Sequence, residues 1–252
     1  MKPIETLARA PTPEGGELVL WRRDGVYHLS ADGMALMTSH AHGSEEALAR
    51  LAWEALPVAR RAAPRVLVGG LGFGYTLRAA LDLLPPSARV VVCEVFAAVL
   101  EWNRGILADL ARRPLRDRRV DARQLDVWTA LADPEPFDMI LLDVDNGPRA
   151  FTLRANQRLY ERAGLERLRR SLQPKGVLAV WSSSPSAQFE AQLGAAGFGV
   201  TVERVPAHER MQGARHVVFL ATPRAGRPRA DRPGQNDRGD RKDRGRADKS
   251  RR

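Results

Sequence analysis

The sequence predicts an α/β protein: a doubly wound, seven-stranded, mostly parallel sheet ending in an antiparallel strand pair, with a small N-terminal β element. Three observations carry this reading. From Arg65 to Ala196, short branched apolar runs alternate with stretches of helical periodicity, the pattern of strand–helix–strand units. Val66–Val68 and Met139–Leu142 are apolar without alternation, as strands buried on both faces are. GFGVTVERV and RHVVFLAT then follow with no helix between them, so the sheet closes on a hairpin.

The chain has 252 residues, 44% of them hydrophobic, which suits one domain with additions. Residues 1–16 are rich in Pro and Gly and read as a flexible arm. Residues 17–60 form a small β element and a helix. Glu17–Leu20 and Gly25–Leu29 are strands joined through Asp24-Gly25, and Met34–Thr38 is a third. Ser44 is the expected N-cap of the helix, with Glu45 and Glu46 in its first turn and Pro57 ending it. His40 and His42 precede it in a loop. With no third ligand in sight, no metal is expected there.

The main domain, residues 61–223, opens on PRVLVGGLGFGYTLRAALDLL. Gly70, Gly72 and Gly74 give G-x-G-x-G between a strand and a helix whose Leu77, Leu81 and Leu84 recur at helical spacing. Pro85 and Pro86 end that helix. Such glycines let backbone approach a ligand, whose polar atoms meet the free amides of the helix start. A plain strand-to-helix turn is the alternative. ARVVVCEVF is the next strand, with Glu94 at its end, 20 positions after Gly74. An acid at the carboxyl end beside the first crossover is placed to accept ribose hydroxyls. Asp121 is expected just after a short third strand and Gln124–Leu131 as a helix. Asp121 either bonds the amino group of a base or caps a turn.

Asp143, Asp145 and Asn146 crowd the carboxyl end of Met139–Leu142. They read as substrate-handling side chains or as a capped turn, Asn146-Gly147 being a turn pair. Asp143 leaves the strand directly and could orient a nucleophile or accept its proton. Phe151–Ser171 is expected to be mostly helix, weakened or bent at Gly164. Pro174-Lys175-Gly176 turns into a fifth strand, VLAVW, and SSSPSAQFEAQL starts the next helix.

Cys93 is the only cysteine, in a buried-strand setting, so an intrachain disulfide and a thiolate zinc cluster are both excluded. No apolar stretch reaches signal-peptide or membrane-spanning character, and a cytoplasmic protein is the expectation. Most of the formal net charge of +10 sits in residues 224–252, which hold twelve basic and five acidic side chains. That tail has no aromatic or branched aliphatic residue, so it is expected to be disordered. Arginine with glycine can hold RNA, but such segments gain from aromatic partners, and interspersed Asp lowers the field. A solubilising tail is the expectation, with neither nucleic acid nor membrane as partner.

In their order and spacing these residues resemble the class I S-adenosylmethionine-dependent transferases, and within them the spermidine synthase-like (polyamine aminopropyltransferase-like) proteins. The resemblance spans roughly Glu17–Thr222 and is carried by the leading β element, the glycine loop, Glu94, Asp121-Ala122-Arg123, Asp143, and Leu159-Tyr160 leading into Leu172–Leu178. It implies a Rossmann-like fold and a group donor, S-adenosylmethionine or its decarboxylated form, with no metal. It also implies that Gly70, Gly72 and Gly74 pass the methionine-like part, that Glu94 takes the ribose, and that Asp121 and Ala122 meet the adenine. Asp143 would sit where the acceptor meets the sulfonium carbon, with Asp145 and Asn146 shaping the acceptor pocket. The expected partners are a small, amine-type acceptor and a second copy of the chain in a homodimer.

Three positions depart from the pattern. Polyamine-forming relatives carry an Asp where Gly72 stands and a second strand-end Asp where Asn146 stands. Many methyltransferases carry an acid where this chain has Val68. A polyamine's charges would therefore lack two counter-charges. Three readings stay open: aminopropyl transfer, methyl transfer, and nucleoside binding without turnover. An NAD-dependent dehydrogenase is disfavoured, since no catalytic Tyr-Lys pair or His base follows the glycines.

Overall fold

The computed structural model describes residues 3–13, 15–144, 154–207 and 215–224. Asp145 and Asn146 lie outside the described residues, as does the tail from residue 225 onward.

The chain opens with a four-stranded antiparallel sheet: β1 (Glu5–Pro11), β2 (Glu17–Arg23), β3 (Val26–Ala31) and β4 (Met34–Thr38), paired in sequence order. The expected arm over residues 1–16 is thus corrected, because Glu5–Pro11 pair with Glu17–Arg22 of β2. Helix α1 (Gly43–Ala55) follows. Its N-cap is His42, not Ser44, and the His42 ring meets Glu46 at 2.8 Å and stacks on Tyr75.

Next come β5 (Arg65–Gly69), α2 (Tyr75–Leu83), β6 (Arg89–Glu94), α3 (Ala97–Arg104), β7 (Val120–Gln124), α4 (Val127–Ala130) and β8 (Phe137–Leu142). After them lie α5 (Arg154–Tyr160), α6 (Arg162–Arg170), β9 (Leu172–Ser182), α7 (Ala187–Ala195), β10 (Phe198–Pro206) and β11 (Arg215–Pro223). The second sheet has the order β10-β11-β9-β8-β5-β6-β7. From β9 to β7 every pairing is parallel, and β11 runs antiparallel to both β9 and β10. This is the doubly wound, Rossmann-like sheet with its antiparallel end.

The apolar runs sit where period-two geometry puts them. Val66, Val68, Met139, Leu141 and Ala179 face one core, while Leu67, Ile140, Leu142 and Val180 face the other. The N-terminal sheet adds Leu18, Leu20 and Leu29 to the first core, together with α1 and α2. It is therefore fastened to the main sheet by a shared interior, which a four-stranded sheet with one apolar face needs.

Three other boundaries differ from expectation. Asp121 lies within β7, opposite Val91, and the helix expected from Gln124 begins only at Val127, where Asp126 caps it. The alternation of VDARQ on a half-buried edge strand is too weak to fix its end from sequence. The expected helix over Phe151–Ser171 is, among the described residues, two helices, and the break falls at Glu161. Pro174-Lys175-Gly176 form a bulge inside β9, where pairing with β8 jumps from Leu172 to Val177 and Lys175 takes φ 65°.

Candidate active site

The sheet reverses its winding between β5 and β8, so the loops leaving those two strands diverge and open a crevice at their carboxyl ends. A cavity of about 350 Å³ lies there. The strand order divides its wall. Gly70, Gly72, Glu94, Phe96, Leu125 and Val127 come from the ends of β5, β6 and β7. Glu45, Asp143, Trp181, Ser183 and His216 come from α1, β8, β9 and β11. Leu29, Leu36 and Met37 of the N-terminal sheet form the roof.

Gly70 closes the turn out of β5 with φ +86°, and a Cβ there would stand 2.3 Å from the Asp143 carbonyl oxygen. Glycine is required for both reasons, and the β5 and β8 exits are held together as a result. At Gly72 a Cβ would come within 2.8 Å of the Met37 thioether. The side chain that could have stood there is replaced by a methionine from the roof. Gly74 does not line the cavity; it is the N-cap of α2.

Glu94 is buried at the end of β6. Its Oε2 accepts the Leu71 N–H and its Oε1 the Phe96 N–H, both at 3.0 Å. The carboxylate ties the glycine loop to the start of α3. Burial raises its pKa, and the backbone amides of Phe96 and Leu71 offset part of that rise. The backbone amides of Val95 and Gly72 also face the carboxylate and favour its charged form.

Asp143 is held by the Thr76 hydroxyl, which donates to its Oδ2 at 2.6 Å. Desolvation pushes its carboxyl up to about 6, and the Thr76 bond works against the rise. Glu45 is 8% exposed. Burial and the Asp143 charge push it up to about 8, opposed by the bond from Ser44 at 2.7 Å. Ser44 Oγ also meets His216 Nδ1 at 2.9 Å, and the His216 ring stands edge-on to Trp181, 4.8 Å between centroids.

Of the residues expected at the site, Gly70, Gly72, Glu94 and Asp143 share the cavity. Asp121 does not. It is the second residue of β7, is exposed, and pairs with Arg123 at 2.6 Å. Ala122 is likewise inside β7 and away from the wall. The β7 exit instead contributes Leu125 and Val127. Cys93 lies at the wall, and burial pushes its thiol up to about 12, which leaves it inert near neutrality. Among the described residues no group of His, Cys, Asp or Glu is arranged to hold a metal ion.

Glu45, His216 and Trp181 were not expected from the sequence. A partial signal exists, because period-two alternation places His216 on the face of Val218 and Leu220, the face α1 covers. Nothing local marks the contact between His216 and Ser44, 172 residues apart.

No family model matches the chain. Among solved structures, the spermidine synthase from Thermotoga maritima is similar at a TM-score of 0.67 and 17% identity, over 86% of this chain and 72% of that one. A probable spermidine synthase from Corynebacterium glutamicum is similar at 0.57 and 20%, over 88% and 81%. The precorrin-6y C5,15-methyltransferase from Geobacter metallireducens is similar at 0.52 and 16%, over 70% and 87%. At these identities the likeness is one of fold. That fold is the one shared by the spermidine synthase-like and methyltransferase-like class I S-adenosylmethionine-dependent transferases.

Proposed function

We propose that the protein is a transferase that binds S-adenosylmethionine or its decarboxylated form and moves a group from the sulfonium to a small amine acceptor. The observation that carries this is the shared cavity: a glycine cradle and a ribose-type carboxylate, Glu94, on one side, and a second carboxylate, Asp143, on the other. The residues fit such a donor. Gly70 and Gly72 put glycine backbone on the wall, Glu94 puts a carboxylate beside it for ribose hydroxyls, and Phe96, Leu125 and Val127 offer apolar surface to a base.

When bound, the donor would supply an electrophilic carbon; the acceptor, arriving as an ammonium, would gain its lone pair by giving a proton to Asp143, the electron pair of the broken carbon–sulfur bond would pass to sulfur, and the product would leave as an ammonium. Asp143, held by Thr76, orients the acceptor nitrogen and takes that proton. A carboxyl near 6 is ionised at neutral pH yet basic enough to accept a proton from a reacting amine. The apolar roof at Gly72 favours an acceptor other than a polyamine, in line with the absence of an acid at that position.

The test offers the protein each donor with a panel of amines and follows products by mass spectrometry. Methylthioadenosine marks aminopropyl transfer and S-adenosylhomocysteine marks methyl transfer. Binding of both nucleosides with neither product for any acceptor would leave a non-catalytic nucleoside-binding protein.

A further inference from the structure

Resting on the donor reading above, we infer that the acceptor is an amine with one positive charge on an apolar body, its ammonium held between Asp143 of β8 and Glu45 of α1. Glu45 reaches the cavity because α1 packs across α2, β9 and β11, which brings the helix N-terminus over the carboxyl end of the sheet. Ser44 bonds its Oε2, and His216 on β11 bonds Ser44, so the carboxyl group is fixed from two elements. The helix N-terminus favours negative charge at Glu45 while the Asp143 carboxylate opposes it. Burial raises both carboxyls and the Asp143 charge raises Glu45 further, which favours a pair that holds one proton and one negative charge between them. One ammonium neutralises that charge.

Among the described residues, the rest of the wall offers a second cation no free carboxylate, its other polar side chains including Thr38, Asn156 and Ser183. Leu29, Leu36 and Met37 cover the cavity, and Met37 occupies the space in front of Gly72. The remaining carboxylate of the wall among the described residues is Glu94, whose oxygens are tied to backbone amides on the donor side. A diamine would bury its second ammonium with no further free carboxylate among the described residues of the wall, and a buried charge without a counter-charge is strongly unfavourable. An alkyl or aryl body gains by the same burial. Glu45 thus takes over the counter-charge role left vacant at Gly72, from a different element and for a single charge.

The test compares n-hexylamine with putrescine, by calorimetric titration of the full chain alone and by turnover with each donor. Hexylamine should bind, and should exceed putrescine at least tenfold in kcat/KM with the active donor. Glu45→Gln should weaken hexylamine binding at least tenfold and leave methylthioadenosine affinity unchanged. Leu36→Asp, which supplies a counter-charge in the roof, should shift preference toward putrescine. Preference of the native protein for putrescine, or hexylamine binding indifferent to Glu45→Gln, overturns the inference. Because amine titration needs no donor, it decides the matter even if neither nucleoside binds, an outcome that would overturn the donor reading instead.

Discussion

Replacing Gly70 with alanine puts two loads on one position, and their sizes follow from the geometry. The residue sits at φ +86°, where an L side chain costs about 1–2 kcal/mol. The new Cβ would also stand 2.3 Å from the Asp143 carbonyl oxygen and 3.0 Å from its carbon. Restoring ordinary contact needs a backbone shift of about 1 Å at the junction of two fully buried strands, an overpacking load of about 1–3 kcal/mol. The total is about 2–5 kcal/mol, a large part of the roughly 5–15 kcal/mol that holds a domain folded. Gly25→Ala is the control. Its φ of +82° is similar, but no atom lies within 4 Å of the added Cβ. In urea denaturation followed by circular dichroism, Gly70→Ala should lower stability by at least about 1 kcal/mol more than Gly25→Ala. Because the shift moves Asp143, it should also reduce turnover. Equal losses for the two variants would show that the β5 exit is not locked against β8.

The pH dependence of stability follows from the buried acids. A carboxyl whose native pKa lies above its unfolded value keeps its proton longer when folded, so stability is greatest below the unfolded pKa and falls as pH rises toward the native one. For Glu45 the loss should extend from the ordinary Glu range up to about 8. The melting temperature of the native protein should therefore fall from mildly acidic pH to about 8, and Glu45→Gln should remove the part of the fall above about 6. Parallel melting curves would refute the burial assigned to Glu45. Asp143→Asn keeps the Thr76 contact available and removes the charge. It should preserve methylthioadenosine binding and lower turnover at least tenfold, a modest loss beside the ~10²–10⁴ typical of a positioned base. A matching loss of nucleoside affinity would move Asp143 to the donor side.

The sheet was legible in the sequence because its strands are buried on both faces and separated by proline- and glycine-marked turns. Val66–Val68, Val90–Val92 and Met139–Leu142 need no context to be read. The glycine loop, Glu94 and Asp143 were legible because each follows such a strand directly, and strand ends fix where side chains emerge. β7 was not, since Val120–Gln124 is a half-buried edge strand with three charged or amide side chains, and its end was misplaced by several residues. That placement, together with the resemblance carried by Asp121-Ala122-Arg123, put Asp121 at the site. β1 was hidden by the proline and glycine around it, although its edge position tolerates Pro11. Glu45, Ser44 and His216 were illegible for a different reason. Their meeting is a product of tertiary packing of α1 on β9 and β11, and a first-turn glutamate looks the same in sequence whether it faces water or a cavity.

The central claim is that the cavity at the carboxyl ends of β5, β6 and β8 takes an adenosine nucleoside through Glu94. Isothermal titration with methylthioadenosine, on the native protein and on Glu94→Gln, tests it most directly, with circular dichroism confirming that the variant is folded. Losing a charged hydrogen-bond acceptor is worth about 1.5–3 kcal/mol, so the native protein should bind and the variant should bind about tenfold or more weakly. Failure of the native protein to bind, or equal affinity in the two proteins, would contradict the account.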